Sequence, residues 1–135
     1  MKNIVYITLD TVLAIHDDLV TKYGGSHGIR DLGLIQSAIA RPQSSFGGDD
    51  LYPNVFDKAA ALFHSLMFNH AFIDGNKRTT IVSASRFLSL NGFELDVSQE
   101  DFVAFPLLVE NKHLSIEKIS KWIENNSKAI AENSS

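Results

Sequence analysis

The chain has 135 residues, 44% of them hydrophobic and 21% charged, which is the composition of one soluble globular domain built on a single core. Its 12 Lys and Arg against 16 Asp and Glu give a net charge of −4, which argues against non-specific nucleic-acid binding, an activity that needs a dense cationic surface. The absence of cysteine excludes disulfides, thiolate catalysis and cysteine zinc sites and fits a reducing cytoplasm, the expected location. No apolar run approaches the roughly 18 residues of a membrane span. The opening MKNIVYITLD has too short an apolar run to be expected to act as a secretory signal.

Taken in chain order, the pattern is helical throughout. Leu9, Leu13, Ile15 and Leu19 lie on one helix from about Thr8, a capping residue, to Tyr23, and Gly24-Gly25 stops it. Asp31 to Ala40 reads as a shorter helix with Leu32, Leu34, Ile35 and Ile39 inward. From Arg41 to Pro53 the periodicity dissolves into a polar loop punctuated by Gly and Pro, and loops of that length are often functional. Asn54 caps a helix with Val55, Ala59, Leu62, Phe63 and Leu66 at helical spacing, and this helix delivers His70. Lys77 to Asn91 is a second core helix carrying Ile81, Val82, Ser85, Phe87 and Leu88, closed by Asn91-Gly92. Ser98 starts a helix with Glu100 and Asp101 in its first turn, which Pro106 is expected to kink or shorten. Ser115 to about Asn126 is the last helix, with Ile116, Ile119, Trp122 and Ile123 inward. One domain is expected over residues 1–126, followed by a polar tail, 127–135, that frays.

The eleven residues HAFIDGNKRTT, His70 to Thr80, carry the chemistry. His70 is suited to be a general base, because imidazole titrates near neutrality and can accept a hydroxyl proton. Asp74 offers a hard oxygen to Mg²⁺, which is commonly held by one or two carboxylates plus substrate phosphates. Gly75 permits a tight or left-handed turn close to a ligand. Asn76, Lys77 and Arg78 then open a helix whose first N–H groups lack intrahelical partners and whose dipole favours an anion. Taken singly, each feature has an ordinary reading: Asp-Gly-Asn is a common turn, and Lys-Arg is usually a solvated pair. But cations at a helix N-terminus oppose the dipole, and an anion seated between them removes the conflict. Phe72 is expected to point inward and pin the loop. His16, His27, His64 and His113 are read as packed or solvated residues without a catalytic role.

HAFIDGNKR resembles the Fic/Doc signature, H-x-F-x-D/E-x-N-x-R. A chance match at six positions, the signature's His70, Phe72, Asp74, Asn76 and Arg78 together with Gly75, is on the order of one in ten million per start. The segments Ile7–Gly25, Ile29–Gly48 and Arg86–Leu95 are similar to the Doc, or death-on-curing, branch of toxins. The resemblance implies an all-α fold, a compact Fic/Doc bundle of about six helices with an active-site loop and a flap. It implies His70 as the catalytic base, Asp74 as the metal ligand, and Gly75, Asn76, Lys77 and Arg78 as the phosphate-binding residues. Mg²⁺ and ATP are the implied cofactor and co-substrate. The flap, which in the family holds the target's backbone, would include Ser44, Ser45, Phe46 and Gly47.

Two departures from the wider family pattern, G-N-G-R-x-x-R, are informative. Lys77 stands where a glycine follows the asparagine, and Ile81 stands where a second arginine grips the distal phosphates. Doc-type members show both, and their nucleotide is understood to bind reversed. The resemblance therefore implies a toxin that moves the γ-phosphate of ATP to a threonine of a translation factor, with elongation factor Tu expected, and so blocks translation. A cognate antitoxin is the implied partner; neither nucleic acid nor a membrane is. The alternatives are AMP transfer from the same base and metal ligand, and a non-enzymatic role as an antitoxin-binding partner. Ser120 to Asn125 also fits a short inhibitory string of some family members, S/T-x-x-x-E-G/N, in which Glu124 would pair with the motif arginine. A chance match to so short a string is common.

Overall fold

Polar side chains one residue ahead of each apolar run decide where the helices begin. In a computed structural model, which describes residues 3–131, Thr8, Asp31, Asn54, Ser98 and Ser115 each accept a hydrogen bond from the backbone N–H three residues on. They start α1 (Leu9–Tyr23), α2 (Leu32–Ala40), α3 (Val55–Asn69), α5 (Gln99–Lys112) and α6 (Ile116–Asn125). The remaining helix, α4 (Asn76–Leu90), has no side-chain cap; it starts from Gly75 in a left-handed conformation. An uncapped start leaves backbone donors free, and it falls within the motif.

α3 is the axis of the domain. Nine of its residues are buried, and it packs against α2, α4 and α6. The run Ala59-Ala60-Ala61 lets neighbouring helices approach closely, while Leu62, Phe63 and Met67 meet Phe87 and Leu88 of α4 and Ile119 and Ile123 of α6 in one core cluster. Trp122 lies flat on Phe105, ring centres 3.7 Å apart, and seals the end of the cluster. The expected class is observed: helices dominate, accompanied by two short antiparallel pairs.

Several details differ from the sequence reading. The segment 41–53 is structured: a single 3₁₀ turn, Arg41–Gln43, leads into a hairpin of β1 (Ser45–Phe46) and β2 (Asp49–Asp50). Its two-residue turn is Gly47-Gly48, both at positive φ, as such hairpins require. Too short for a period-2 pattern to register, it was invisible to periodicity. Residues 127–129 do not fray but form β4 (Ser127–Ala129) on β3 (Phe93–Leu95); residues 132–135 lie outside the described part. Leu32 is 44% exposed rather than inward. The face that α1 buries is Val12, His16 and Val20, with the leucines at its margins. α5 runs through Pro106 without being cut short there.

The hairpin is tied to α3 by a buried cation. Lys58 is 2% exposed and its ammonium donates to Asp50 Oδ2 at 3.1 Å and to the Tyr52 carbonyl. Nearby, Arg41 donates to the Tyr52 hydroxyl, to Ser65 Oγ and to His64 Nδ1. Arginine only donates, so His64 must present a bare Nδ1. Burial lowers its pKa, the Arg41 cation lowers it further, and Glu117 partly opposes them, so the neutral ring is favoured. The Lys58 geometry predicts an asymmetry. Asp50→Ala leaves the buried ammonium only the Tyr52 carbonyl and should cost about 1–3 kcal/mol, while Lys58→Met removes the charge and should cost less. Urea unfolding of the two variants measures the difference, and amide exchange in 45–50 should rise in both.

Candidate active site

The site is a turn between α3 and α4, held from both sides. α3 ends at His70, which adopts a left-handed conformation at φ 47°, uncommon for a residue with a side chain. The strain is offset by backbone pairing. The Ala71 carbonyl accepts from the N–H groups of Arg30 and Asp31, and Ile73 N–H donates to the Gly28 carbonyl, so Ile29 and Phe72 form an antiparallel bridge. The Arg30 guanidinium also donates to the His70 carbonyl. These bonds fix the turn's path and leave the His70 side chain exposed.

Inside the turn, Asn76 closes a second set of bonds. Its Oδ1 accepts from Phe72 N–H at 3.1 Å and its Nδ2 donates to the Phe72 carbonyl at 2.8 Å. Only a side-chain amide supplies both a donor and an acceptor in that geometry, which is the physical reason for asparagine here. Phe72, 2% exposed, stacks on His16 with ring centres 3.8 Å apart. His16, itself buried, hydrogen-bonds through Nε2 to the Asp74 carbonyl at 2.8 Å. The packed reading of His16 is right as far as it goes; its hydrogen bond to the metal-ligand candidate spans 58 residues and carries no local sequence signal.

Asp74 is exposed and its Oδ2 accepts from Ser26 N–H at 2.7 Å, which orients the carboxylate. Gly25, at φ 109°, is needed alongside, since a Cβ there would sit 3.0 Å from Asp74 Cβ. Gly75 is at φ 79°, and a Cβ on it would meet Val20 at 3.3 Å. Lys77 Nζ lies 3.4 Å from Glu110 Oε1 of α5, and the Arg78 guanidinium sits 4.3 Å above the Tyr23 ring.

The result is one polar depression of about 300 Å³ lined by His70, Asp74, Gly75, Asn76, Lys77, Arg78 and Glu110, together with Met67 and Ile73. All six residues expected to act on the nucleotide line it. Ser44, Ser45, Phe46 and Gly47 do not; they belong to the hairpin, whose Phe46 is 82% exposed. Glu110 was not anticipated, because α5 is distant in sequence and only the fold brings it here. Glu124 is exposed and lines neither this depression nor its neighbour, and Ser120 is occupied in donating to Asp57 Oδ1 at 2.6 Å. The Ser120 to Asn125 string thus has a packing explanation. A second, mostly apolar cavity of about 250 Å³ adjoins the first through Lys77 and Arg78 and is lined by Leu19, Tyr23, Phe102, Val103, Pro106 and Leu107, among others.

Residues 6–88, more than half of the chain and the whole motif, match the sequence profile of the Fic/DOC family. The chain belongs to the Fic/DOC family. It is 52% identical over 73 residues to a protein named Toxin Doc from Mycolicibacterium smegmatis, a match spanning 54% of this chain and 56% of that one. It is 32% identical over 95 residues to the Protein kinase doc of Escherichia phage P1, covering 70% of this chain and 75% of the phage protein. In this Fic/DOC chain, as elsewhere, an unmet buried peptide group is costly. Asn76→Ala would strip the Phe72 N–H and C=O of their partners and should destabilise by roughly 1–3 kcal/mol. Chemical denaturation measures the loss, and hydrogen exchange at Phe72 should accelerate with it.

Proposed function

We propose that this chain is a Doc-type toxin, a transferase that moves the γ-phosphate of ATP to a threonine hydroxyl of a translation factor, with elongation factor Tu the expected target. The observation that carries the reading is Ile81. It stands where other members of the family hold a second arginine, and it is 2% exposed in the core. A nucleotide entering in the usual orientation finds no cation there for its distal phosphates. The available cations, Lys77 and Arg78, are concentrated at the α4 N-terminus, which favours the γ-phosphate at that end of the cavity. The name of the phage relative, Protein kinase doc, points the same way.

Each residue then has a role. Gly75 and Asn76 present the free N–H groups that open α4, and Lys77 and Arg78 neutralise phosphate charge. His70 takes the hydroxyl proton as the oxygen–phosphorus bond forms and the bond to the β-phosphate oxygen breaks, with ADP leaving. Asp74 would hold Mg²⁺. Among the described residues no three His, Cys, Asp or Glu side chains group to bind a metal alone, so the residues fit an ion that draws its other ligands from phosphates and water. Bound there, Mg²⁺ supplies charge neutralisation. Positioning and electrostatics are nearly all that phosphoryl transfer needs.

The toxin reading includes a cognate antitoxin. A site that modifies an essential factor must be restrained in the cell. The apolar cavity along α1, α4 and α5, ending at Lys77 and Arg78, suits an amphipathic helix with an acidic end. Among the described residues no helix is long and apolar enough to cross a membrane.

The test is transfer from ATP labelled at either end. With the purified chain and target, label should pass from γ-labelled ATP, the target should gain the mass of one phosphate, and ADP should appear. Label arriving only from the α position, with pyrophosphate released, would replace this reading with AMP transfer.

A further inference from the structure

The depression read above as a phosphate site already contains an anion. Glu110, from the last turn of α5, lines it together with Asp74, and its Oε1 lies 3.4 Å from Lys77 Nζ. Both side chains are partly exposed, Lys77 by 43% and Glu110 by 33%. The pair is therefore weak enough to be broken on binding. Counting Asp74 and Glu110 against Lys77 and Arg78, the cavity's ionisable carboxylates and cations balance. A lysine in the first turn of a helix is disfavoured by the dipole, and Glu110 relieves that conflict when no ligand is present.

We propose that Glu110 is the resting counter-ion of Lys77, displaced when a phosphate enters, and that it thereby limits how strongly the site holds phosphate. The inference rests on the reading of this cavity as a phosphate site. A phosphate oxygen reaching Lys77 competes with a carboxylate already there, and on arrival it has that carboxylate as a like-charged neighbour. Both effects weaken anion binding, and neither touches a ligand part that carries no charge. Among the described residues Arg78 has no such carboxylate partner; the Tyr23 ring lies beneath its guanidinium and leaves its donors available. Glu110 is thus a positioning residue, acting through Lys77. It also shares α5 with Phe102, Val103, Pro106 and Leu107 of the adjoining apolar cavity, so any ligand that shifts α5 would alter phosphate affinity.

Calorimetric titration of the wild-type chain and Glu110→Gln, at one fixed Mg²⁺ concentration, separates the possibilities. The probes are tripolyphosphate, ATP and adenosine. Tripolyphosphate and ATP should each bind roughly fivefold tighter to the variant, the equivalent of one partly exposed ion pair. Adenosine affinity should be unchanged, a contrast that a merely structural role for Glu110 would not produce. Glu110→Ala should shift the same way, so that one poorly folded variant does not decide the matter. Unchanged or weaker tripolyphosphate binding in variants that unfold like wild type would overturn the proposal. So would failure of tripolyphosphate to bind either form. If tripolyphosphate tightens while ATP binds neither form, the proposal stands and the nucleotide reading falls.

Discussion

Phe72 is held by one amide. Asn76 grips the peptide N–H and C=O of Phe72 at once, and Phe72 is in turn buried against His16, which holds the carbonyl of Asp74. Remove that grip and two buried peptide groups need new partners, at a cost comparable to several ordinary surface contacts. Everything that distinguishes the site from a plain helix–turn–helix follows from it. His70 is set at the end of α3, Asp74 at the tip of the turn, and the free N–H groups of α4 at the far side, all opening into one depression. The long-range bonds from residues 28–31 brace the same turn from outside.

The turn also gathers costs that a purely structural connection would avoid. His70 occupies a left-handed conformation without being glycine, α4 begins without a side-chain cap, and two cations stand at the positive end of its dipole. Local rules are broken together in one place, which is where a functional site is expected. Each breach exposes something useful: a histidine ring, unpaired N–H groups, positive charge. Glu110 and Tyr23 make the cations tolerable without a ligand.

Much of this was legible in the residues. Thr8, Asp31, Asn54, Ser98 and Ser115 announced helix starts to within one residue, because capping is a local contest between a side chain and its own backbone. The motif named its own members, since its six matched positions and Lys77 fall within nine consecutive residues. What escaped was non-local. Lys58 carries no signal in the helical pattern, yet it is buried on Asp50 and Tyr52, a fact set by where the hairpin docks. His16 and Glu110 reach the site from α1 and α5, and no spacing rule connects them to it. Strands of two and three residues, β1 to β4, are too brief to impose an alternating pattern. On α1 the apolar spacing located the helix but not its buried face, Val12, His16 and Val20, which is set by packing against α4.

The central claim is that His70 performs the proton transfer in a site whose architecture does not depend on its ring. The structure supports the second half: the turn is held by the His70 carbonyl, Asn76 and residues 28–31, and not by the imidazole. The direct measurement pairs two quantities in His70→Ala, single-turnover transfer to the target and equilibrium ATP affinity. Transfer should fall by about 10²- to 10⁴-fold while affinity stays near that of the wild type. Transfer at the wild-type rate by a variant that binds ATP normally would contradict the account.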